Sequence, residues 1–340
     1  MPKTPKFFAE TTFNLQMPGV IDDVLRSLRI EGSLLLREPY VSPWSVAVPD
    51  SCSLAGVLGK GPAVRVVAFH LVEYGHCRVK LENGTEHLLK AGEMAICFGG
   101  SAHRLFQGDS AKTQSIESLL AGGSNIHRPG LEINAGDTAL LCGVFMLSHT
   151  EFNPLVAALP SMMLSNLSRP GELHNLSGVA RLMAEEIDRS SFGGDYIVER
   201  LLEVLCAEAI RTYIETVPQR ETGWLRGIKD PVVGRAIAAV HSCPDMDWSV
   251  QRMAQGVAMS PSRFAARFSE CVGDSPMAYV TKWRMNIACR ELASTQKRVD
   301  QIAVEVGYES LAAFSRAFKK HVNVSPAMWR DQLRTKPNCP

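Results

Sequence analysis

Ser262-Arg263-Phe264-Ala265-Ala266-Arg267-Phe268 and Ala312-Ala313-Phe314-Ser315-Arg316-Ala317-Phe318 are one pattern written twice, 50 positions apart. Phe264 and Phe314, Phe268 and Phe318, Val272 and Val322, Ser275 and Ser325, and Pro276 and Pro326 all match at that offset. Agreement at one spacing by paired aromatics and a Ser-Pro marks an internal repeat. Ser260 before Pro261 is a helix-start signal, and Ser310 plays the same part in the second copy. At about 100° per residue, the two Phe residues of each copy share one helix face and point inward. Ser262, Arg263 and Ala266 then point outward, as do Ala312, Ala313, Arg316, Lys319 and Lys320.

A shorter helix precedes each of these. Ser249 caps one that carries Val250, Met253, Ala254 and Val257 inward. Val299, Ile302, Ala303 and Val306 form the inward face of the other, and Gly307 stands where its turn needs a left-handed residue. Each copy therefore predicts a helix-turn-helix, at about 249–271 and 299–321. Between them, Pro276 to about Ala293 predicts a helix of about 18 residues, roughly 27 Å long. That length suits two helices entering successive major grooves, about 34 Å apart. Small residues beside Arg and Lys let a backbone approach a groove while cations reach bases or phosphates.

Charge agrees with this reading. The 340-residue chain has a net charge of +1, but from Pro231 onward 15 Lys/Arg face 9 Asp/Glu, leaving the rest of the chain net acidic. A basic C-terminal part predicts a polyanionic partner for that part alone. No stretch approaches the roughly 20 apolar residues of a membrane span, and the start has no signal-peptide core, so no membrane partner and a cytoplasmic location are expected. The nine cysteines include no CxxC pair, which argues against a zinc ribbon or a thioredoxin-type site.

The first 150 residues have a different texture. Val64–Leu71, Cys77–Leu81 and Leu140–Phe145 are strand candidates, and Asn83-Gly84 is a hairpin signal. Together they predict a small barrel or sandwich, with Ala121-Gly122-Gly123-Ser124-Asn125 as a loop. Residues 153–216 turn helical. Leu176, Val179, Leu182, Met183 and Ile187 keep helical spacing, as do Ile197, Leu201, Leu202, Val204, Leu205, Ala209 and Ile210. The second stripe is broader than one neighbour requires, so it reads either as a core helix or as a subunit interface. The fold class expected is multidomain α+β. Its divisions are a barrel at 20–150, a helical dimerisation segment at 151–217, a linker at 218–230 and an all-α DNA-binding domain at 231–332.

The C-terminal motifs closely resemble the AraC/XylS family of bacterial regulators. They are Trp248-Ser249-Val250, Met259–Phe264, Gly273-Asp274-Ser275-Pro276, Val306–Ser310, Phe314–Lys319 and Val324-Ser325-Pro326. The resemblance implies that each repeat inserts its second helix into the major groove of double-stranded operator DNA. Ser262, Arg263, Ala266, Arg267, Ala312, Ala313 and Arg316 are then the candidate DNA-facing residues, with Lys319 and Lys320 expected on phosphates. Looser similarity at Pro43-Trp44, Phe69–Gly75, Lys90–Glu93, Gly100–His103 and Leu141–Gly143 resembles the cupin-type sensor domain of one branch of that family. It implies a small β-barrel followed by helices that pair in a homodimer. The chain is then expected to be a regulator, activator or repressor, that answers a small-molecule or redox signal and meets RNA polymerase.

Enzymatic cupins hold a metal with an HxH pair, a Glu and a later His. Here Leu71-Val72 follow His70, Glu73 is displaced, and only His103 matches the later His. Two histidines make half a zinc or iron site, so neither metal nor other cofactor is expected. His70 and His103 are instead candidate effector contacts. Cys77, Cys97 and Cys142 in the predicted strands are candidate redox thiols. The alternative to a regulator is a metal-dependent cupin enzyme fused to a DNA-binding module.

Overall fold

The computed structural model describes residues 13–61, 64–108, 111–122, 134, 136–167, 174–189, 192–217 and 223–334. Residues 123–125 of the expected loop and 218–222 of the expected linker lie outside these. The chain separates into two compact bodies. One comprises Arg29–Ser148 and Leu159–Thr216, and the other Met1–Leu28, His149–Ala158 and Val217–Pro340.

Among the described residues, the first body is built on ten strands: β1 (Arg29–Tyr40), β2 (Trp44–Val48), β3 (Val64–Tyr74), β4 (His76–Leu81) and β5 (Glu86–Lys90), then β6 (Glu93–Ile96), β7 (His103–Gln107), β8 (Thr113–Ser115), β9 (Thr138–Ser148) and β10 (Met163–Asn166). They form two five-stranded sheets, ordered β1-β9-β3-β6-β10 and β5-β4-β7-β2-β8. Strand alternation decides which residues the sheets share. Val66, Ala68 and Val72 of β3 and Leu140, Cys142 and Val144 of β9 join Val46, Val48, Cys77, Val79 and Leu105 of the other sheet in one core. The intervening residues Phe69 and Phe145 stack on the opposite face, ring centroids 4.7 Å apart. The Asn83-Gly84 hairpin forms as read: Gly84 is left-handed and Asn83 Oδ1 accepts from the Thr85 amide.

Helices His174–Arg189 and Gly194–Thr216 complete this body. The second lies so close to β1 that a Cβ on Gly32 would come within 2.3 Å of Leu202 Cβ. Leu202, Leu205, Ala209 and Ile210 are buried, while Ile197 and Val204 are exposed, as is Leu182 of the preceding helix. The broad stripe thus divides into an inner face and an outer apolar one.

The other body is helical. Val250–Gly256 and Pro261–Val272 form the first helix-turn-helix, Val299–Glu305 and Leu311–Val322 the second. A 19-residue helix, Pro276–Ser294, joins them. Its Met285, Ala288, Cys289 and Leu292 pack with Ile302, Ala303, Val306, Phe314 and Phe318 of the second repeat. Each of those Phe side chains contributes roughly 2–3 kcal/mol by leaving water.

These divisions differ from the sequence expectation in two places. Part of the expected linker, Trp224–Lys229, is a helix with Trp224, Leu225, Gly227 and Ile228 buried. Its apolar residues need cover, which a solvated linker would not give them. Residues 20–28 and 149–150 of the expected barrel, and 151–158 of the expected dimerisation segment, belong to the helical body. Asn153 ties them together: its amide donates to Val24 O and Ser27 Oγ at 2.9 and 2.8 Å.

Candidate functional site

Two groups of residues carry chemistry, one in each body. In the helical body the repeat is reproduced in three dimensions. Phe264 and Phe268 lie 5.7 Å apart at 58°, and Phe314 and Phe318 5.6 Å apart at 52°. All four are fully buried, which fixes the rotation of both second helices about their axes. Ser262, Arg263, Ala266, Ala312, Arg316, Lys319 and Lys320 are exposed, and Ala313 is half-buried at the edge of the face. Among the described residues, Arg263, Arg316, Lys319 and Lys320 make no ion pair, so their charges remain available to an anion.

Arg267 differs. Its guanidinium donates to both oxygens of Asp230, with Nε at 3.1–3.2 Å and Nη2 at 2.8 Å. The same carboxylate accepts from the Val232 and Val233 amides. Burial works against ionisation of Asp230, yet the Arg267 bonds and those amides hold its pKa below the ordinary value. One position after Ala266, Arg267 is turned back toward its own fold. Its planar fork is committed to a carboxylate, so it braces the second helix of the first repeat against its own fold. Asp230 was the missing signal, since it lies 37 residues away and inside the expected linker.

The helix starts also resolve in detail. Ser249 and Ser310 accept from the amides three residues on, at 3.1 and 3.2 Å. Ser260 occupies the cap position with extended backbone but makes no side-chain cap bond. The repeats differ by one residue at the turn. Ala258 and Gly307 are the left-handed residues, with φ of 58° and 79°, so the offset is 49 before the turn and 50 after it.

In the barrel body, His70 on β3 and His103 on β7 face each other across the core. His70 pairs in register with Cys142 of β9, so both side chains point inward, and Cys97 follows directly after β6. All four are at most 5% exposed. His70 Nε2 lies 2.8 Å from His103 Nε2, and His70 Nδ1 lies 3.1 Å from Cys142 Sγ. His103 Nδ1 is 3.1 Å from Ser101 O and its Nε2 is 3.7 Å from Cys97 Sγ. The acceptors dictate the protons. Ser101 O can only accept, so His103 carries its proton on Nδ1 and accepts through Nε2. His70 then donates from Nε2 and accepts the Cys142 thiol proton on Nδ1.

Burial, reinforced by the neighbouring His103, holds His70 well below its ordinary pKa, and burial lowers His103 too. Both rings are neutral at neutral pH. Burial pushes the Cys77 and Cys97 thiols up to about 12 and raises Cys142 as well. They are protonated thiols, whereas an oxidant sensor needs exposed thiolate. Cys77 stands inward on β4 and His76 outward, as strand alternation requires. Glu73 is occupied elsewhere, gripped bidentately by Arg37 at 3.0 Å, with Asp188 on the third guanidinium nitrogen at 2.6 Å. The structure brings together His70, His103, Cys97 and Cys142 from the sequence candidates, and its new member in that polar cluster is the carbonyl of Ser101.

A two-sheet barrel and a duplicated helix-turn-helix with free cations define a DNA-binding protein with an attached cupin domain. A family profile described as cupin matches residues 20–215, and one described as helix-turn-helix domain matches residues 253–332. The HTH-type transcriptional regulator AlkR of Acinetobacter baylyi is 31% identical over 77% of this chain and 87% of its own. A putative AraC-like transcription regulator of Streptomyces lividans is 28% identical over 79% and 88%. Among solved structures, ToxT from Vibrio cholerae aligns over 91% of this chain and 99% of its own at 11% identity and a TM-score of 0.33. The chain belongs to the AraC-type transcriptional regulators that carry an N-terminal cupin domain. Among the described residues, no helix is long and apolar enough to cross a membrane.

Proposed function

We propose that the chain acts as a homodimer that reads promoter DNA with Ser262, Arg263, Ala266, Ala312, Ala313 and Arg316, anchored on phosphates by Lys319 and Lys320. The observation that carries this is the pair of matching helix faces, each backed by two buried Phe residues, with four cations that make no ion pair among the described residues. Small residues at Ala266, Ala312 and Ala313 keep the helix surface low beside Arg263 and Arg316, which suits close approach to base edges. The outer apolar positions Leu182, Ile197 and Val204 support pairing through the two helices of the barrel body. In this reading the barrel senses an effector in the cytoplasm, occupancy alters dimer placement on DNA, and the bound dimer contacts RNA polymerase. Relatives over most of the chain are named as regulators, which favours regulation over catalysis.

Footprinting of the intergenic DNA upstream of the chain's own gene and its neighbours, at fixed salt, tests the reading. A protected site with two successive major-groove faces supports it, and non-specific binding alone refutes it. Arg316→Ala should weaken specific binding about 5- to 150-fold, the range for one good base contact. Lys319→Ala should weaken all sequences alike and reduce the salt slope by about 1.

A further inference from the structure

We propose that the barrel interior holds a zinc ion on His70 Nε2, His103 Nε2 and Cys97 Sγ, with a fourth position open to water or an exogenous donor. The three donor atoms come from three different places in two facing sheets, all are buried, and all lie within 4.8 Å of one another. Zinc binds imidazole nitrogen at about 2.0–2.1 Å and thiolate at about 2.3 Å, so a tetrahedral site separates nitrogen from nitrogen by about 3.3 Å and nitrogen from sulfur by about 3.5 Å. The 3.7 Å between Cys97 Sγ and His103 Nε2 nearly meets that. The 2.8 Å between the two Nε2 atoms must open by about half an ångström, a small rotation of one imidazole.

The surroundings fit as well as the donors. His103 Nδ1 donates to Ser101 O, and His70 Nδ1 faces Cys142 Sγ. Such outer partners fix the tautomer and aim of metal-binding imidazoles. Among the described residues no carboxylate joins the set, and Glu73 is held by Arg37. Two nitrogens and a sulfur select a borderline-soft cation and leave magnesium or calcium without oxygen ligands. His103 also borders an open surface groove with Ala102, Arg104 and Glu82.

The protons balance. With no ion bound, Cys97 and Cys142 are thiols, His70 carries its proton on Nε2 and His103 on Nδ1. Zinc displaces the Cys97 proton to solvent, and the His70 proton relocates from Nε2 to Nδ1, where it is donated to Cys142 sulfur. One proton leaves for each ion bound. The same side chains also hydrogen-bond to one another and to the Ser101 carbonyl. The site stands on the barrel alone, whether or not the chain dimerises on DNA.

The test is cobalt(II) titration of the full-length chain after chelator treatment. About one equivalent should bind, giving the visible bands of tetrahedral cobalt and a thiolate-to-cobalt charge-transfer band in the near ultraviolet. Cys97→Ser should lose the charge-transfer band, and Cys52→Ser, at an exposed cysteine, should keep it. X-ray absorption of zinc-loaded wild type needs no variant: it should show imidazole nitrogen at about 2.0 Å and one sulfur at about 2.3 Å. A folded wild type that binds no cobalt, a charge-transfer band that survives in Cys97→Ser, or a zinc shell without sulfur each overturns the site.

Discussion

Gly307→Ala, set against Ala258→Gly, tests whether the two turns really are equivalent and differently strained. Both positions are left-handed, at φ of 79° and 58°. At Gly307 a Cβ would stand 2.6 Å from Asp245 O, 2.8 Å from Asp245 Cα and 2.6 Å from Arg284 Nη2. Neither neighbour gives easily. Arg284 donates to Pro244 O at 2.8 Å and Met246 O at 2.7 Å, locking the same loop that the methyl would strike. Left-handed backbone costs a residue with a Cβ about 1–2 kcal/mol. Overpacking adds roughly 1–3 kcal/mol. Lower entropy of the unfolded chain offsets about 0.4–1 kcal/mol. Gly307→Ala should therefore destabilise by roughly 2–4 kcal/mol. Ala258 already bears the left-handed cost in an exposed turn, so Ala258→Gly should stabilise by about 0.5–1 kcal/mol. Urea unfolding of the full chain, followed by tryptophan fluorescence, reads both, since Trp224, Trp248 and Trp283 are buried in the helical body. Shifts of the same sign, or a Gly307→Ala midpoint equal to wild type, would refute the reasoning.

Three further outcomes are expected. Arg267→Ala should cost roughly 1–2 kcal/mol of stability by releasing Asp230, while Arg267→Ala and wild type, both fully folded, bind DNA with similar salt slopes; a slope reduced as much as by Lys319→Ala would make Arg267 a phosphate contact. Burial holds His241 at about 3, below its usual 6.5, so the folded state resists protonation. Stability linked to it is complete above about pH 6.5 and declines as pH falls toward 3, by about 2 kcal/mol at pH 5. Urea melts of wild type and His241→Gln at pH 8 and 5 check this, and equal acid sensitivity in both would refute it. Val204→Glu, on the outer apolar face, should turn a dimer into monomers in light scattering with the barrel's circular dichroism unchanged; an unaltered mass would place the interface elsewhere.

The recognition helices were legible because their information is local. A Phe pair four residues apart sets which face is buried, and helical geometry then assigns Ser262, Arg263, Ala266, Ala312 and Arg316 to the other face without further data. The strands around Val64–Leu71 and the Asn83-Gly84 turn were legible for the same reason, since alternation and turn chemistry act between neighbours. Arg267 was not legible. Whether an arginine faces DNA or closes on a carboxylate depends on Asp230, 37 residues earlier, and only folding brings the two to 2.8 Å.

The sequence by itself determined a duplicated helix-turn-helix, a β-rich N-terminal part and the charge asymmetry between them, because each is written in short-range periodicity or simple counting. Tertiary structure decided where residues 20–28, 149–158 and 224–229 belong, since apolar segments go where surface is available to cover them. It also decided what the barrel's polar residues are. His70, Cys97, His103 and Cys142 are spread over 73 positions and look like separate candidates for separate roles. The pairing of β3 with β9 and the packing of one sheet on the other gather them into one buried cluster, and no spacing rule could announce a set that two facing sheets create.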